Sequence, residues 1–112
     1  MDQRELSNYR ALSREVRHLR ALLCDLERDP DGYVAAVALY RDRVSQKEAA
    51  LLSIERAIDS LGAPAERMIL RLRYLEGRSW VSVCMALQPL GYGERQVYRL
   101  HGSALARLRD IT

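Results

Sequence analysis

The sequence predicts an all-α protein, with a long, coiled-coil-like helical hairpin over residues 1–62 and three helices over residues 63–112. Leu, Ala, Arg and Glu dominate the 112 residues, whereas only 6% are aromatic and Phe is absent. This balance favours helices over strands. Apolar residues recur with heptad spacing in the first half and with i, i+3, i+4, i+7 spacing in the second. The length suits one compact domain, with room for an extension.

The first predicted helix runs from Asp2 to about Arg28. Asp2 and Glu5 have the spacing of a capping box, which indicates a helix start. Residues 29–32 read Asp-Pro-Asp-Gly, a composition that ends helices and forms turns. The core heptad positions between these ends are Tyr9, Leu12, Val16, Leu19, Leu23 and Leu26.

A second heptad series predicts a long helix that ends near Gly62. Its core positions are Val37, Tyr40, Val44, Lys47, Leu51, Ile54, Ile58 and Leu61. Lys47 either fixes the register or extends its ammonium past the edge of the apolar seam, and the second interpretation is favoured. A two-helix hairpin has a thin core, so we expect the chain to form a homo-oligomer through residues 1–62.

Three shorter helices are predicted after Gly62. Pro64 begins the first, which ends before Gly77, and Ser79 caps the second. The third runs from about Glu94 to Ile111, after a turn rich in Gly and Pro. The predicted buried positions are Met68, Ile69, Leu72 and Leu75 in the first helix, Trp80, Val83, Cys84 and Leu87 in the second, and Val97, Leu100, Ala104, Leu105, Leu108 and Ile111 in the third.

The formal net charge of +3 is concentrated in the second half of the chain. Residues 1–62 carry ten basic and eleven acidic groups, a net of −1, and residues 63–112 carry eight basic and four acidic groups, a net of +4. All basic residues except Lys47 are Arg, which suits bidentate contacts to phosphate or guanine. A GC-rich genome would produce the same bias.

Several classes of function lack any supporting motif. The sequence has no phosphate-binding loop, zinc-ligand spacing or nucleophile elbow, so we expect neither an enzyme nor a cofactor or metal. The longest apolar run, residues 33–40, is shorter than a membrane span, and the N-terminus lacks an apolar signal region. Cys24 and Cys84 have no paired spacing, so reduced thiols are expected. These features predict a soluble, cytoplasmic protein.

Residues 64–109 resemble the fourth region of bacterial sigma factors. The resemblance rests on Glu66-Arg67, Leu72-Arg73-Tyr74 with Gly77, Ser79-Trp80, Arg95-Gln96-Val97 and the run from Ala104 to Arg109. Together with the heptad-patterned first half, the chain is similar to small phage and prophage regulators. The resemblance implies a helix-turn-helix that binds double-stranded DNA through its last helix, with RNA polymerase as a further possible partner.

The helical positions of the last segment agree with that role. At about 100° per residue, Arg95 and Arg99 fall opposite Val97, one turn apart, together with Gly102 and Ala106. Gln96 and Ser103 flank one edge of the buried face, and Tyr98 flanks the other. The resemblance implies that Glu94 contacts bases, and Arg78 and Ser79 are placed to hold a phosphate. The predicted DNA-binding residues are Arg78, Ser79, Glu94, Arg95, Gln96, Tyr98, Arg99 and Ser103.

Other residues of this region have simpler explanations. His101 lies about 40° from the buried centre, so we expect a half-buried histidine, and Trp80 is expected in the core. Gly102 either permits close approach to DNA or is tolerated in a helix held by packing. Gln88-Pro89-Leu90 form an insertion relative to the family. Val81 and Met85 are expected to be exposed where relatives carry acidic groups.

Two alternative functions remain open at this point. A small terminase subunit of a phage packaging motor also joins a helix-turn-helix to oligomerising helices, and a ring of roughly eight or more protomers would favour it. The second alternative is an interaction module that binds RNA polymerase without contacting DNA. The sequence predicts a transcriptional regulator in preference to both.

Overall fold

The computed structural model describes residues 1–29 and 33–111, and every regular element in these ranges is helical. This confirms the all-α prediction for the described residues. None of their helices combines the length and apolarity that a bilayer span requires. The helices are α1 (Gln3–Ser7), α2 (Tyr9–Glu27), α3 (Val34–Asp59), α4 (Pro64–Leu70), α5 (Trp80–Leu87) and α6 (Glu94–Ile111). A π-helical turn, Arg71–Leu75, follows α4, and a 3₁₀ turn, Gln88–Leu90, follows α5.

The predicted helix starts are confirmed by their local chemistry. The Asp2 carboxylate accepts the backbone N–H of Glu5 at 3.0 Å, and the Ser79 hydroxyl accepts that of Ser82 at 3.2 Å. Pro64 is the first residue of α4, where its missing N–H costs no helical hydrogen bond. These starts follow from side chains next to the helix and need no distant contact.

The first predicted helix is interrupted at Asn8, so its continuity from Asp2 to Arg28 is corrected. Asn8 ends α1, with its backbone N–H donating to the Arg4 carbonyl at 3.1 Å. An Asn side chain competes for backbone hydrogen bonds, which weakens a helix at that position. The helix resumes at Tyr9 and ends at Glu27. The expected turn residues 30–32 and the last residue of the sequence, Thr112, lie outside the described residues.

The chain divides into two compact units whose boundaries lie within helices. One unit comprises Met1–Arg10 together with the chain from Ile54 onward, and the other comprises Ala11–Ser53. The sequence suggested a division at Gly62, whereas the end of α3 belongs to the same unit as α4 to α6. We call the first the helical core unit and the second the long-helix unit.

Within the long-helix unit, α2 and α3 run antiparallel. Arg41 pairs with Glu27 at 2.8 Å, whereas Lys47, further along α3, pairs with Glu15, nearer the start of α2, at 2.9 Å. Arg20 also pairs with Glu48. The ammonium of Lys47 therefore reaches a surface carboxylate, which agrees with the favoured interpretation of this residue. Among the described residues of this unit, the buried apolar side chains are those of Val16, Leu19 and Val44.

The helical core unit contains two apolar clusters. The first combines residues from α1, α3, the connection after α3, α4, the π-helical turn and α6, namely Leu6, Ile54, Ile58, Leu61, Leu70, Tyr74, Ala104 and Leu108. The second combines α4, the π-helical turn, α5 and α6, with Ile69, Leu72, Val83, Leu87 and Val97. The segment from α4 through the π-helical turn thus lies between the clusters and contributes to both.

The heptad and helical patterns predict most of these buried positions. Met68, Leu75, Leu100 and Leu105 are half-buried. One prediction is wrong, because Ile111 is 55% exposed. Ile111 is the last residue of α6, where no following turn of the helix covers it. Leu70 and Tyr74 were not predicted to be buried, and both belong to the first cluster.

The helical core unit has one buried carboxylate and one half-buried phenol with polar contacts. Glu66 is only 2% exposed, and its Oε2 lies 3.6 Å from Nη1 of Arg107. The phenol of Tyr9 donates to Oε1 of Glu55 at 2.6 Å. Burial, and then the hydrogen bond and charge of Glu55, raise the pKa of Tyr9 to about 12. The ion pair of Glu66 joins α4 to α6, and the hydrogen bond of Tyr9 joins α2 to α3.

Candidate nucleic-acid interface

Helix α6 has one buried face and one face that is free to contact a partner. Val97, Ala104 and Leu108 are buried on the first face. Arg95 and Arg99 are exposed on the opposite face, with Gly102 exposed beside them. The division agrees with the angular positions expected from the sequence.

No carboxylate among the described residues pairs with Arg95 or Arg99. Within the described part of the chain, neither guanidinium has an ion-paired or hydrogen-bonded side-chain partner. They lie one helical turn apart, about 6 Å along the helix axis. Two free guanidinium groups at this spacing can donate bidentate hydrogen bonds to guanine edges or to phosphates.

The remaining predicted residues of α6 are also accessible. Glu94 is exposed at the first position of the helix, where a carboxylate is favoured by the helix dipole. Tyr98 is 44% exposed. Gln96 and Ser103 are half-buried at the edge of the buried face. All six predicted residues of α6 therefore present some surface to solvent.

Arg78 and Ser79 lie at the start of α5. The Arg78 guanidinium pairs with Glu76 at 3.0 Å, and both side chains are a little under half exposed. An exposed pair of this kind contributes only about 0–1 kcal/mol, so a phosphate could displace the carboxylate at small cost. Ser79 accepts the Ser82 N–H as the helix cap, and this structural role accounts for its position.

A group of rings joins the start of α5 to α6. The Trp80 ring lies 5.1 Å from the Tyr98 ring and 4.6 Å from the His101 imidazole, between centroids. The guanidinium carbon of Arg73 lies 4.9 Å from the Trp80 centroid, a cation–π distance. Trp80 is half-buried, and it packs against residues of both helices. These contacts fix the position of α5 relative to α6.

His101 is half-buried, as expected, and its surroundings disfavour the charged imidazolium. Tyr74 Oη accepts a hydrogen bond from Gln3 at 3.2 Å and lies 2.7 Å from His101 Nε2. If Tyr74 donates to Nε2, the imidazole proton is on Nδ1. Burial, and then the positive charge of Arg73, lower the pKa of His101. From α6, His101 thus contacts both the π-helical turn and α5.

Thiol chemistry has little support at this surface. Cys84 is half-buried on α5. Burial, and then the carboxylate of Glu94, raise the pKa of the Cys84 thiol, which lowers the fraction of reactive thiolate. No group of side chains in residues 1–29 and 33–111 has the composition and spacing to hold a metal ion.

The connection between α5 and α6 begins with the residues that the resemblance marks as an insertion. Gln88, Pro89 and Leu90 form an exposed 3₁₀ turn, which Gly91 closes with a φ of 92°. Such a positive φ is strained for residues other than glycine. On the outer side of α5, Val81 is 71% exposed and Met85 is 66% exposed, as expected.

Sequence reasoning overlooked Arg73 and Arg10 as candidate binding residues. Arg73 Nη1 donates to the Arg78 carbonyl at 2.9 Å, which places its charge beside the start of α5. Arg10 comes from the beginning of α2 and lies against Gly77. No periodicity relates residues so far apart in sequence. The one signal in the sequence for either residue was the motif Leu72-Arg73-Tyr74, which contains Arg73 but does not indicate that its charge binds a ligand.

Taken together, the described surface of α5 and α6 offers unpaired guanidinium groups, hydroxyls and an amide next to one another. This is the chemistry that recognises phosphates and base edges. In comparisons with known proteins, no family model, no curated protein and no solved structure matches the chain. The assignment of a function therefore rests on the residues themselves.

Proposed function

We propose that the chain is a DNA-binding protein in which α5, the turn over residues 88–93 and α6 act as a helix-turn-helix. In this proposal α6 enters the major groove, and Arg95, Arg99 and Glu94 face the base edges. Gln96, Tyr98 and Ser103 contact the groove walls, and Arg78 and Ser79 contact the backbone at the start of α5.

More particularly, we propose a sequence-specific transcriptional regulator of phage or prophage type. The resemblance of residues 64–109 to the fourth region of sigma factors supports this assignment. In this function the antiparallel α2 and α3 serve as the oligomerisation region, so that two or more copies of α6 bind one DNA site. The chain has no catalytic role in the proposal.

One observation supports the proposal most strongly. The exposed face of α6 holds Arg95 and Arg99 without any acidic partner among the described residues, while its opposite face is buried in both apolar clusters. A carboxylate four residues after an arginine on a solvated helix would allow a stabilising ion pair. Here the positions four residues after Arg95 and Arg99 are Arg99 and Ser103.

Selection of bound duplexes from a random or genomic DNA pool tests the proposal directly. We expect enrichment of one sequence element and an affinity that falls steeply with salt concentration. Failure to bind any duplex at low salt would overturn the proposal. The enriched element, compared with promoter and packaging sequences, distinguishes transcription from DNA packaging.

Replacement of Arg99 by Ala tests the role of the base-facing arginines. If Arg99 donates to guanine, Arg99→Ala should weaken binding to the selected site by about 1–3 kcal/mol and relax the preference at one position. The exposed Arg56 on α3 provides a control, because Arg56→Ala removes the same charge away from α6. Unchanged affinity and preference for Arg99→Ala, measured by fluorescence anisotropy of labelled duplexes, would contradict the assignment.

A second candidate function is supported by the apolar residues on the outer side of α5. Val81 and Met85 lie one turn apart and are both more than half exposed. Exposed apolar pairs of this kind suit a protein partner such as RNA polymerase. Binding to polymerase that Val81→Ser and Met85→Ser abolish, with no duplex binding by the unmodified chain, would favour an interaction module over a DNA-binding regulator.

A further inference from the structure

A cavity of about 240 Å³ opens on the helical core unit beside the start of α5. It lies between the end of α1, the π-helical turn and the bend at Gly77. Its lining residues are Ser7, Arg10, Arg73, Tyr74 and Gly77. Two of them carry a positive charge and none carries a negative one.

Gly77 allows Arg10 to lie across the bend. The φ of Gly77 is +69°, which is strained for other residues, and a Cβ at this position would collide with the guanidinium of Arg10. Arg10 has no ion-paired or hydrogen-bonded partner within the described part of the chain. The guanidinium is therefore packed against the bend with its charge uncompensated.

Arg73 brings a second guanidinium to the same cavity. Its Nη1 donates to the Arg78 carbonyl at 2.9 Å, and the Trp80 ring lies beneath its guanidinium carbon. These contacts hold the side chain in place but supply no negative charge. The nearest acidic residue in sequence, Glu76, is paired with Arg78 at 3.0 Å.

Two guanidinium groups on one cavity, without a carboxylate among its lining residues, are the arrangement that binds an oxyanion. Guanidinium groups donate paired hydrogen bonds that match phosphate oxygens. The cavity is smaller than the roughly 300–1,000 Å³ of ordinary small-molecule pockets, so its volume suits a phosphate group more than a whole metabolite. The hydroxyl of Ser7 adds a further donor.

The position of the cavity indicates where the phosphate comes from. Arg73 contacts Trp80 at the start of α5, and Trp80 contacts Tyr98 on α6, so the cavity adjoins the candidate nucleic-acid interface. We propose that Arg10 and Arg73 bind one backbone phosphate of the DNA, outside the segment in contact with α6. This inference rests on the proposed function, and it adds a contact from the N-terminal part of the chain.

The main test measures how salt affects DNA binding by the full-length chain. We expect Arg10→Gln to weaken binding equally on the selected duplex and on a scrambled one. The slope of log affinity against log salt concentration should become shallower by about one unit. Arg10→Lys should retain most of that slope, because it keeps the charge. Arg4→Gln on α1 removes the same charge outside the cavity and should leave the slope as it is.

A second arm uses inorganic phosphate and does not depend on DNA. In ¹⁵N NMR spectra of the full chain, we expect a saturable shift of the Gly77 amide and the Arg10 Nε signals on titration with phosphate. The shift should disappear in Arg10→Gln and persist in Arg4→Gln. Unchanged dispersion of the remaining signals shows that each variant is folded.

The two arms separate this site from the proposed function. If the unmodified chain binds DNA and Arg10→Gln keeps the original salt slope, the phosphate site is overturned while DNA binding stands. If the unmodified chain binds no DNA, the proposed function and the DNA source are overturned. A saturable phosphate shift would then support an anion site at Arg10 and Arg73, and no shift would overturn it.

Discussion

At the scale of single residues, the contact between Tyr74 and His101 couples three helical segments. Gln3 of α1 donates to Tyr74 of the π-helical turn, which contacts His101 of α6 at 2.7 Å. A neutral imidazole can accept a hydrogen bond from the phenol. A protonated imidazole would instead present a donor to the phenol, and the charge of Arg73 would repel it. The network therefore favours the uncharged histidine.

This preference makes stability depend on pH in a defined direction. Because the pKa of His101 is lowered on folding, the unfolded chain binds more protons in the window below about pH 6.5, and stability falls as pH falls through it. Urea unfolding followed by circular dichroism should show this loss between about pH 7.5 and about pH 5. In His101→Gln the loss should be smaller over the same range.

The exposed His18 supplies the comparison for that measurement. His18→Gln also removes an imidazole, but from an exposed position on α2. Its unfolding curves therefore measure the effect of losing an imidazole away from Tyr74 and Arg73. An identical pH dependence for His101→Gln and the unmodified chain would contradict the role assigned to His101.

Burial of single residues was predictable where it follows from position on one helix. Val97, Ala104 and Leu108 were predicted from the angular pattern of α6, as was the half-buried His101. Tyr74 was not, because its burial depends on partners from α1 and α6. The Arg10 and Arg73 cavity was missed for the same reason, since the two residues lie more than sixty positions apart in sequence.

At the scale of elements, α6 contains a glycine, Gly102, at a position where no neighbouring atom excludes a larger side chain. A Cβ at Gly102 would meet no atom within 4 Å apart from the helix backbone and chain neighbours. The packing of the chain therefore leaves room for a larger residue. Close approach of DNA and simple tolerance remain the two explanations offered by the sequence.

Gly102→Ala should raise the free energy of unfolding by about 0.5–1 kcal/mol, because Ala is the better residue in a helix interior. Gly62 is also free of close neighbours around its Cβ position but lies outside the helices, so Gly62→Ala measures the general effect of losing a glycine. A decrease in stability for Gly102→Ala would contradict the prediction. Weaker DNA binding by this more stable variant would support close approach of DNA.

Helix ends were more predictable than helix interiors. Asp2, Pro64 and Ser79 mark starts through interactions confined to one turn. The interruption at Asn8 and the π-helical turn over residues 71–75 were not predicted. The π-helical turn has a backbone bond from Glu76 N–H to the Arg71 carbonyl, and the segment contributes Leu72 and Tyr74 to different apolar clusters. Contributing to both clusters depends on tertiary packing, so no periodic pattern in the sequence predicts the π-helical turn.

At the scale of the whole molecule, the helical core unit depends on both ends of the sequence. Leu6 and Ile58 are fully buried, and Ile54 is 5% exposed, in the same cluster as Ala104 and Leu108 of α6. Removal of a buried Leu or Ile side chain costs about 2–5 kcal/mol. Loss of three such residues is comparable with the 5–15 kcal/mol of stability typical of a domain.

A fragment of residues 63–112 should therefore fail to fold cooperatively, although these residues include the entire sigma-like segment. Thermal denaturation followed by circular dichroism should show a broad transition for the fragment and a cooperative one for the full chain. A fragment with the melting temperature of the full chain would contradict this dependence on α1 and α3.

Self-association is the corresponding prediction for the long-helix unit. Only three of its described apolar residues are buried, and Leu22 and Leu39 are exposed by 37% and 49%. Sedimentation equilibrium should reveal an oligomer whose population rises with concentration, because association buries further apolar surface. Leu22→Glu with Leu39→Glu should reduce the assembly, whereas Leu90→Glu, outside this unit, should not. A monomer at all concentrations would contradict the prediction.

Trp80 gives this chain a natural optical reporter of one region. It is the only tryptophan, and its ring contacts Arg73, Tyr98 and His101 beside the second apolar cluster. Its fluorescence emission therefore follows the environment between α5 and α6, whereas ellipticity sums over every helix. Denaturation curves that differ between the two signals would show that the two compact units unfold in separate steps.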